Sequence, residues 1–246
     1  MRIPRIYASQ PLTLQQSVLL EAPASKHLLS VLRLKPGAPL TLFDGSGREF
    51  EACLEAAENR RARVLIKAEQ PSRTESPLQI ILAQGISRSE RMDYTLQKAV
   101  ELGVAEILPL LTERSVVRLD EKHAVRKQQH WQQLVISACE QSGRVRVPVV
   151  QAPLSLDALF AQQLSAMKLL LDPEAQNSLR TLARPMNEPV LLLVGAEGGL
   201  SGAERSAALR AGFQSVQLGP RILRTETAAL VALSLLQGRW GDLGGI

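Results

Sequence analysis

The sequence is poor in the residues on which several common classes of site depend. Its two cysteines, Cys53 and Cys139, lie far apart, which excludes a disulfide framework and a cysteine-ligated zinc centre and suits a reducing compartment. The three histidines form no cluster, and neither H-E-x-x-H nor G-x-S-x-G occurs. We therefore expect no metal site, and His123 and His130, which lie on a polar stretch, are predicted to face solvent.

Long apolar segments are also absent. Residues 227–237 form the longest candidate, which is flanked by Glu226 and Arg239 and is far shorter than the roughly 20 residues of a membrane span. The N-terminus carries Arg2 and Arg5 but no continuous apolar core after them, so we expect no signal peptide. These absences favour a cytoplasmic protein that does not enter a membrane.

The overall composition is that of a globular protein with a mild positive charge. Hydrophobic residues make up 45% of the chain and charged residues 22%, which provides enough apolar side chain for a core. The net charge is +5, and the whole excess falls in the first 150 residues. This distribution suits a polyanionic partner such as RNA, although many mildly basic proteins bind nothing acidic.

Two different patterns lie on either side of a predicted linker. The polar segment 71–77 has a proline at each end, so we expect domains at residues 1–72 and 73–246. Before the linker, short strand-like runs alternate with turn signals, and the turn at 44–47 is expected to close a hairpin. This pattern predicts a small, mostly β domain or barrel. Its strands are predicted at Ser17–Leu20, Pro39–Phe43, Glu49–Leu54 and Arg63–Glu69.

After the linker, apolar strand-like runs alternate with segments of helical periodicity. This alternation predicts an α/β fold with a parallel sheet and helices on both faces. Strands are predicted at Leu78–Ala83, Ile107–Leu111, Lys168–Leu171, Val190–Val194 and Ser215–Leu218. Helices are predicted around Met92–Val100 and Trp131–Ala138, from the Ser201–Glu204 capping box to Gly212, and from Thr225 to Gln237 with Gly238 as the stop.

The carboxyl ends of three predicted strands carry the candidate chemistry, at 171–174, 195–200 and 218–227, because ligands bind at that edge of an open α/β sheet. The loop at 195–200 is rich in glycine, but its spacing is G-x-x-G-G, and Glu197 within it would repel a pyrophosphate. That disfavours a nucleotide-dependent oxidoreductase and leaves either a plain turn or a backbone-lined pocket for a cationic or zwitterionic cofactor. The loop at 218–227 brings Arg221, Arg224 and Glu226 together. These residues either form an Arg–Glu pair that caps the next helix or belong to a ligand site.

These motifs resemble those of a known family. Gly195–Gly199 followed by Leu218–Ala228 is similar to the C-terminal signature of the RsmE family, the 16S ribosomal RNA (uracil-N3)-methyltransferases of the SPOUT class. Nearly the whole chain is covered, because further segments match in the same order at Arg2–Arg5, His27–Arg33, Gln97–Val104, Glu113–Ser115 and Glu140–Arg144. The chain departs from the family pattern at Ala196, where proline is usual, and at Ser87–Ser89, where lysine is usual.

The resemblance implies a fold, a cofactor and a reaction. The fold is a SPOUT-type parallel sheet with a C-terminal trefoil knot, a rare exception to unknotted topology, preceded by a small PUA-like RNA-binding β-barrel. The protein is expected to be a homodimer that binds S-adenosyl-L-methionine (SAM) and methylates N3 of a uridine in 16S rRNA of the small ribosomal subunit. The alternative is a catalytically silent ribosome-assembly factor. By the resemblance, SAM is held by Leu171, Gly195, Glu197, Gly198, Gly199, Leu218, Gly219, Ile222, Leu223 and Thr227.

Methylation of uracil N3 requires the anion of the base, since the neutral base carries a proton at N3. An arginine favours that anion by binding the negative charge that spreads over the flanking carbonyl oxygens. Arg224 is the first candidate for this role and Arg221 the second, while Glu226 is predicted to orient Arg224 or to act as the base. Candidate phosphate contacts are Arg2, Arg5, Arg33, Arg88, Arg114 and Arg118.

Overall fold

The computed structural model describes residues 3–115, 120–185 and 187–244. The chain divides into two compact units, one made of Met1–Glu75 with Cys139–Val147 and the other of Ser76–Ala138 with Pro148–Ile246. The predicted domain division at residues 72 and 73 stays a prediction. Glu75, inside the predicted linker, belongs to the first unit, where its carboxylate accepts hydrogen bonds from the Arg144 guanidinium at 2.7 Å and from the Val145 N–H at 2.9 Å.

Five strands form the sheet of the first unit within the described part of the chain. They are β1 (Arg5–Tyr7), β2 (Ser17–Leu19), β3 (Pro39–Phe43), β4 (Glu49–Glu58) and β5 (Arg61–Gln70). Their order is β1-β3-β4-β5-β2, and all pairs are antiparallel except β1–β3. Alternate residues of β5, Ala62, Val64 and Ile66, are fully buried, as expected of a strand with one face on a core. The predicted β-rich domain and its hairpin between β3 and β4 are confirmed.

A short helical segment between β2 and β3 was not predicted. It consists of helix α1 (Ala22–Lys26) and a π-helical turn (His27–Val31). Ser25 attaches it to the sheet, because the Ser25 hydroxyl donates to the Leu20 carbonyl and accepts from the Ala62 N–H, both at 3.0 Å. Five residues of α1 are too few for a helical period to stand out in the sequence.

The second unit contains a parallel sheet. Its strands are β6 (Ile80–Gly85), β7 (Glu106–Leu111), β8 (Val149–Val150), β9 (Leu154–Ser155), β10 (Met167–Leu171), β11 (Val190–Val194) and β12 (Gln214–Val216). The remaining helices of the described chain are α2 (Ser89–Glu101), α3 (Glu121–Ser142), α4 (Leu156–Ala161), α5 (Gly202–Arg210) and α6 (Thr225–Trp240). The strand order is β12-β10-β11-β6-β7-β8, with β9 also beside β7, and the recorded pairs are parallel. The predicted α/β class is confirmed.

The centre of this sheet is buried on both faces. All five residues of β11 are buried, which is why this strand reads as a continuous apolar run in the sequence. Leu159 of α4 and Ala208 of α5 join the apolar cluster that contains Leu191 and Leu193. Helix α6 contacts α2, β6 and β11.

Both ends of α5 and the start of α6 lie where the sequence predicts them, whereas α3 begins at Glu121, well before the predicted Trp131, and one predicted stop is wrong. The Ser201–Glu204 capping box is formed and starts α5, and Gly212 follows that helix with a φ of +88°. The prediction that Gly238 stops the last helix is wrong, because α6 continues through it to Trp240. Gln237 and Trp240 are buried on either side of this glycine, so tertiary packing outweighs its weak helix propensity.

The described helices and strands leave one expectation of topology open. The strand order and the parallel pairing agree with a SPOUT-type sheet, whereas the trefoil threading stays a prediction. Among residues 3–115, 120–185 and 187–244, every helix falls short of the length and apolar character that crossing a bilayer requires.

Candidate functional site

Three loops at the carboxyl ends of neighbouring strands enclose a cavity of about 630 Å³. The loops follow β10, β11 and β12, which are adjacent in the order β12-β10-β11 and point the same way. Most of the predicted cofactor-binding residues line this cavity. They are Leu171, Gly195, Glu197, Gly198, Gly199, Leu218, Gly219, Ile222 and Leu223.

The glycine-rich loop after β11 is built by close backbone approaches. A Cβ atom on Gly195 would lie 2.9 Å from the Cα of Gly199, so a side chain there has no room. Gly199 has a φ of +65°, a backbone conformation that favours glycine. Gly85, at the end of β6, comes closer still, because a Cβ there would lie 2.3 Å from the backbone nitrogen of Ala196. The glycines therefore give this loop a shape that exposes its backbone to the cavity.

Glu197 brings a negative charge into the cavity wall. Its Oε1 accepts a hydrogen bond from the Arg88 N–H at 2.9 Å and lies 3.6 Å from the Arg91 guanidinium. Its Oε2 is buried and has no hydrogen-bond partner within the described part of the chain. A buried carboxylate oxygen without a partner is costly, and a cationic ligand group would satisfy it.

The loop after β12 places two arginines at the cavity. Arg221 and Arg224 are both exposed and both line it, and Thr225 behind them begins α6. Glu226 and Thr227 lie in the first turn of α6 but do not line the cavity, so the roles predicted for both stay predictions. Among the ion pairs of the described residues none joins Arg224 to Glu226, so the capping pair considered as an alternative is not formed.

The cavity also contains charged residues for which the sequence predicts no role. Arg91, on α2, lines it beside Glu197. Asp172, just after β10, is buried, and its carboxylate lies 3.4 Å from the Arg205 guanidinium. A hydrogen bond from the same arginine lowers the pKa of Glu174. The position of Asp172 and Glu174 at a predicted strand end is a sequence signal that could have found them. Arg91 offers no such signal, because it lies on a helix that precedes the glycine-rich loop by about a hundred residues.

Two of the predicted RNA-binding arginines lie near the cavity. Arg114 lines it, and its guanidinium donates to the Gly198 carbonyl at 3.1 Å. Arg88 is exposed next to Glu197, to which its backbone N–H donates. Arg114 therefore leaves positive charge at the glycine-rich loop, and the backbone of Arg88 is bonded to the same loop.

The other predicted RNA-binding arginines belong to different surroundings. Arg5 pairs with Glu49, donates to the Gly143 carbonyl at 2.9 Å and lies over the Phe43 ring, so internal contacts already hold its guanidinium. Arg33 is exposed, with a φ of +52°. Arg2 and Arg118 lie outside the described residues.

Histidines and cysteines stay away from the cavity. His123 and His130 are exposed, as predicted, and each lies within 3 Å of an aspartate. Burial raises the pKa of the Cys139 thiol to about 12, so this cysteine stays protonated and is no nucleophile at neutral pH. Across the residues that the structure describes, no group of three or more histidine, cysteine, aspartate or glutamate side chains is placed to hold a metal ion.

Comparison with known proteins adds independent evidence. One family model, an RNA methyltransferase domain, matches residues 74–237, and another, an RNA methyltransferase PUA domain, matches residues 20–67. A crystal structure of a ribosomal RNA small subunit methyltransferase E from Neisseria gonorrhoeae bound to SAM has 42% sequence identity and a TM-score of 0.92, and the match covers 98% of this chain and 100% of that one. A Legionella pneumophila structure in complex with SAM has 40% identity and a TM-score of 0.94, with 99% and 100% covered.

A sequence relative agrees with these structures. The ribosomal RNA small subunit methyltransferase E of Buchnera aphidicola subsp. Schizaphis graminum is 36% identical over 243 residues, which is 98% of this chain and 98% of that protein. The similarity therefore extends over both units and is not confined to the glycine-rich loop.

Proposed function

This chain belongs to the RsmE family of ribosomal RNA small subunit methyltransferases, and on that premise we propose that it transfers a methyl group from SAM to N3 of a uridine in 16S rRNA. The observation that carries the proposal is a single cavity lined by both the Glu197 carboxylate and the Arg224 guanidinium. The first suits a cationic methyl donor, and the second suits an anionic nucleophile. The chain is thus a SAM-dependent rRNA methyltransferase with a SPOUT-type parallel sheet.

The cavity fits SAM in size and in charge. Its volume of about 630 Å³ lies within the range of roughly 300–1,000 Å³ that small-molecule sites occupy. SAM carries a sulfonium and an ammonium group, and the unpartnered Oε2 of Glu197 offers either of them a negative charge. Gly195 and Gly199 let backbone N–H and C=O groups approach the ligand. Ile222, with 87% of its surface exposed at the cavity, is apolar area that a bound ligand would cover.

The arginines of the last loop make the nucleophile available. When bound, SAM supplies an electrophilic methyl group on its sulfonium sulfur. Arg224 presents a planar guanidinium that can donate hydrogen bonds to a uracil carbonyl, and this charge favours the base anion and lowers the pKa of the N3 proton. Arg221, three residues earlier, adds positive charge to the same cavity. Holding both reactants in one cavity also supplies several kcal/mol through orientation.

The substrate must reach the cavity as an unpaired base. N3 lies on the Watson–Crick edge of uracil, so the target is single-stranded or is turned out of a helix at a cost of a few kcal/mol. Arg88, Arg91 and Arg114 surround the glycine-rich loop and can bind the phosphates on either side of the base. The first unit contributes RNA contacts through exposed residues such as Arg33.

The proposal also covers the oligomeric state, the cellular location and the threading of the C-terminal part of the chain. The protein works as a homodimer in the cytoplasm, where its ribosomal substrate is found, and its C-terminal strands form a trefoil knot. The resemblance to the RsmE family supports all three. The half-exposed Leu235 on α6 adds apolar surface that a second subunit would bury.

Transfer of labelled methyl from SAM tests the proposed function. Unmodified small ribosomal subunits and naked 16S rRNA are each incubated with the protein, and the RNA is then digested to nucleosides. We expect label in 3-methyluridine, and the ratio of the two substrates shows how much subunit assembly matters. An absence of label with SAM binding intact would instead support the catalytically silent assembly factor.

A further inference from the structure

Gln84, near the end of β6, is a fully buried polar residue that does not line the cavity. In the sheet it lies opposite Val194, the last residue of β11, directly before the glycine-rich loop begins. The next residue, Gly85, touches that loop closely enough to exclude a Cβ atom, which would lie 2.3 Å from the Ala196 nitrogen. Gln84 therefore sits at the point where β6 supports the glycine-rich loop.

The side-chain amide of Gln84 connects two walls of the cavity. Its Nε2 lies 2.9 Å from the Thr225 hydroxyl, 3.1 Å from the Gly85 carbonyl oxygen and 3.4 Å from the Gly195 carbonyl oxygen. The Thr225 hydroxyl in turn donates to the Gly195 carbonyl at 2.6 Å. Carbonyl oxygens only accept, so the amide nitrogen must face them. One chain of hydrogen bonds thus joins β6, the glycine-rich loop and the first residue of α6.

This arrangement leaves an energetic cost that packing alone does not explain. The Gln84 Oε1 is buried and has no hydrogen-bond donor within the described part of the chain. An unpaired buried acceptor destabilises a fold, whereas an apolar side chain of similar length would fill the same space without that penalty. The contribution of the Gln84 amide therefore comes from its nitrogen, which donates hydrogen bonds to Thr225, Gly85 and Gly195.

We propose that Gln84 is a positioning residue that holds the glycine-rich loop and the start of α6 in one arrangement. Through Gly195 it fixes the loop that carries Glu197, and through Thr225 it fixes the residue that follows Arg224. Both halves of methyl transfer, cofactor binding and anion stabilisation, then depend on one buried amide. The inference rests on the proposed function, since it names how the same site is held in place.

The first test replaces Gln84 with methionine, which keeps the length of the side chain but removes its donors. We expect the Kd for SAM to rise about tenfold and kcat to fall about tenfold, the effect of losing one buried hydrogen bond at each wall. Gln237→Met is the matched control. Gln237 is equally buried, bonds the Ser76 hydroxyl at 2.6 Å and the Gly103 carbonyl at 3.3 Å, and does not line the cavity. The Gln237→Met variant should have a lower thermal midpoint of unfolding than the wild type, with an unchanged Kd for SAM and an unchanged kcat.

A second pair of variants tests the path through the hydroxyl. Thr225→Val removes the hydroxyl at nearly constant volume, and Thr225→Ser keeps it, so the serine variant should lose less activity. The double variant of Gln84→Met and Thr225→Val should lose little more SAM affinity and kcat than either single variant, because both substitutions act on the Gly195 carbonyl. Additive losses would overturn the inference.

The remaining outcomes separate this inference from the proposed function. A folded Gln84→Met protein with the Kd and kcat of the wild type would overturn the inference, as would equal kinetic losses in Gln237→Met. A wild-type protein that binds SAM but transfers no methyl group would defeat the proposed function. In that case the SAM affinity of Gln84→Met would still decide whether Gln84 positions the loop.

Discussion

At the scale of single residues, Arg224 is the residue that we propose to stabilise the base anion in the cavity. It lines the cavity from an exposed position just before α6. We expect Arg224→Ala to lower kcat by about 10²–10³, the range observed when one donor to a developing oxyanion is removed. The Kd for SAM should change little, because the contacts that we propose for the cofactor are made by other residues of the three loops. Methyl-transfer rates and calorimetric titration with SAM measure the two effects separately.

The controls for this prediction distinguish charge from geometry. Arg224→Lys keeps the charge but loses the planar fork, so its kcat should fall between those of the wild type and the alanine variant. Arg210, exposed in the last turn of α5 and absent from the cavity lining, provides a matched surface arginine, and Arg210→Ala should leave kcat unchanged. An Arg224→Ala protein with full turnover would remove this residue from the mechanism.

Gly198 is a second residue on which the site depends, for a steric reason. A Cβ atom there would lie 2.9 Å from the Cβ of Arg114, an atom too close to its backbone to move away easily. Gly198→Val should therefore displace the loop or Arg114 and abolish detectable SAM binding while the protein still folds. Gly202→Ala is the control, because nothing lies within 4 Å of its added Cβ. Normal SAM affinity in folded Gly198→Val would show that SAM does not bind against this loop.

At the scale of elements, apolar runs and turn signals located the strands, because a strand that is buried on both faces, such as β11, reads as one continuous run. The run of β11 and the limits of β3 agree with the prediction residue for residue. Helix α4 has six residues and β8 and β9 have two each, which is too short for any period to be read. Gly238 misled the prediction of the last helix end because local propensity takes no account of the packing of α6.

One part of the candidate site could be predicted from local sequence patterns, and the other part depends on contacts between residues that are distant in sequence. Its three loops were found because each combines glycines or charged residues at the end of an apolar run. Gln84 and Thr225 are bonded across 141 positions of sequence, so no local pattern connects them. Arg91 reads as one more charged residue on an amphipathic helix until β6 and β11 bring α2 to the glycine-rich loop. Only the parallel pairing of the strands reveals these contacts.

We predict that the contact between Glu140 of α3 and Tyr7 of β1 makes the stability of the first unit depend on pH. Burial raises the pKa of the Glu140 carboxyl, whose Oε1 accepts the Tyr7 N–H at 3.0 Å. A raised pKa means that this group favours folding at low pH and that its contribution is lost as pH rises from the unfolded value, about 4.5, through the folded value. Glu140→Gln should therefore raise the thermal midpoint at neutral pH.

Thermal unfolding across a pH series checks this prediction. The advantage of Glu140→Gln over the wild type should shrink as pH falls toward 4, where the native carboxyl is itself protonated. Glu121→Gln, in the exposed first turn of the same helix, should show no such pH-dependent gain. The prediction fails if the gain is absent at neutral pH or grows as the solution becomes more acidic.

At the scale of the whole molecule, the distribution of charge predicts a division between RNA binding and SAM binding. Residues 1–150 carry the whole excess of positive charge, whereas the cavity is lined by charges of both signs, among them those of Arg221, Arg224, Glu197 and Asp172. We expect this excess to attract a polyanion such as rRNA, and the charges of both signs in the cavity suit a ligand that itself carries both signs. Binding of RNA should then be sensitive to salt, and binding of SAM much less so.

Neutralising one exposed arginine of the first unit tests that division. Arg33→Gln should weaken RNA binding at low salt and reduce the slope of log K against log salt by about 0.7–0.9, the contribution of one phosphate contact. Arg63→Gln is the matched control, because the Arg63 guanidinium already pairs with Glu58 at 2.6 Å and 2.7 Å. Filter binding of a 16S rRNA fragment over a salt series gives both slopes, and SAM affinity should be unchanged in both variants. An unchanged slope for Arg33→Gln would place the RNA backbone elsewhere on the molecule.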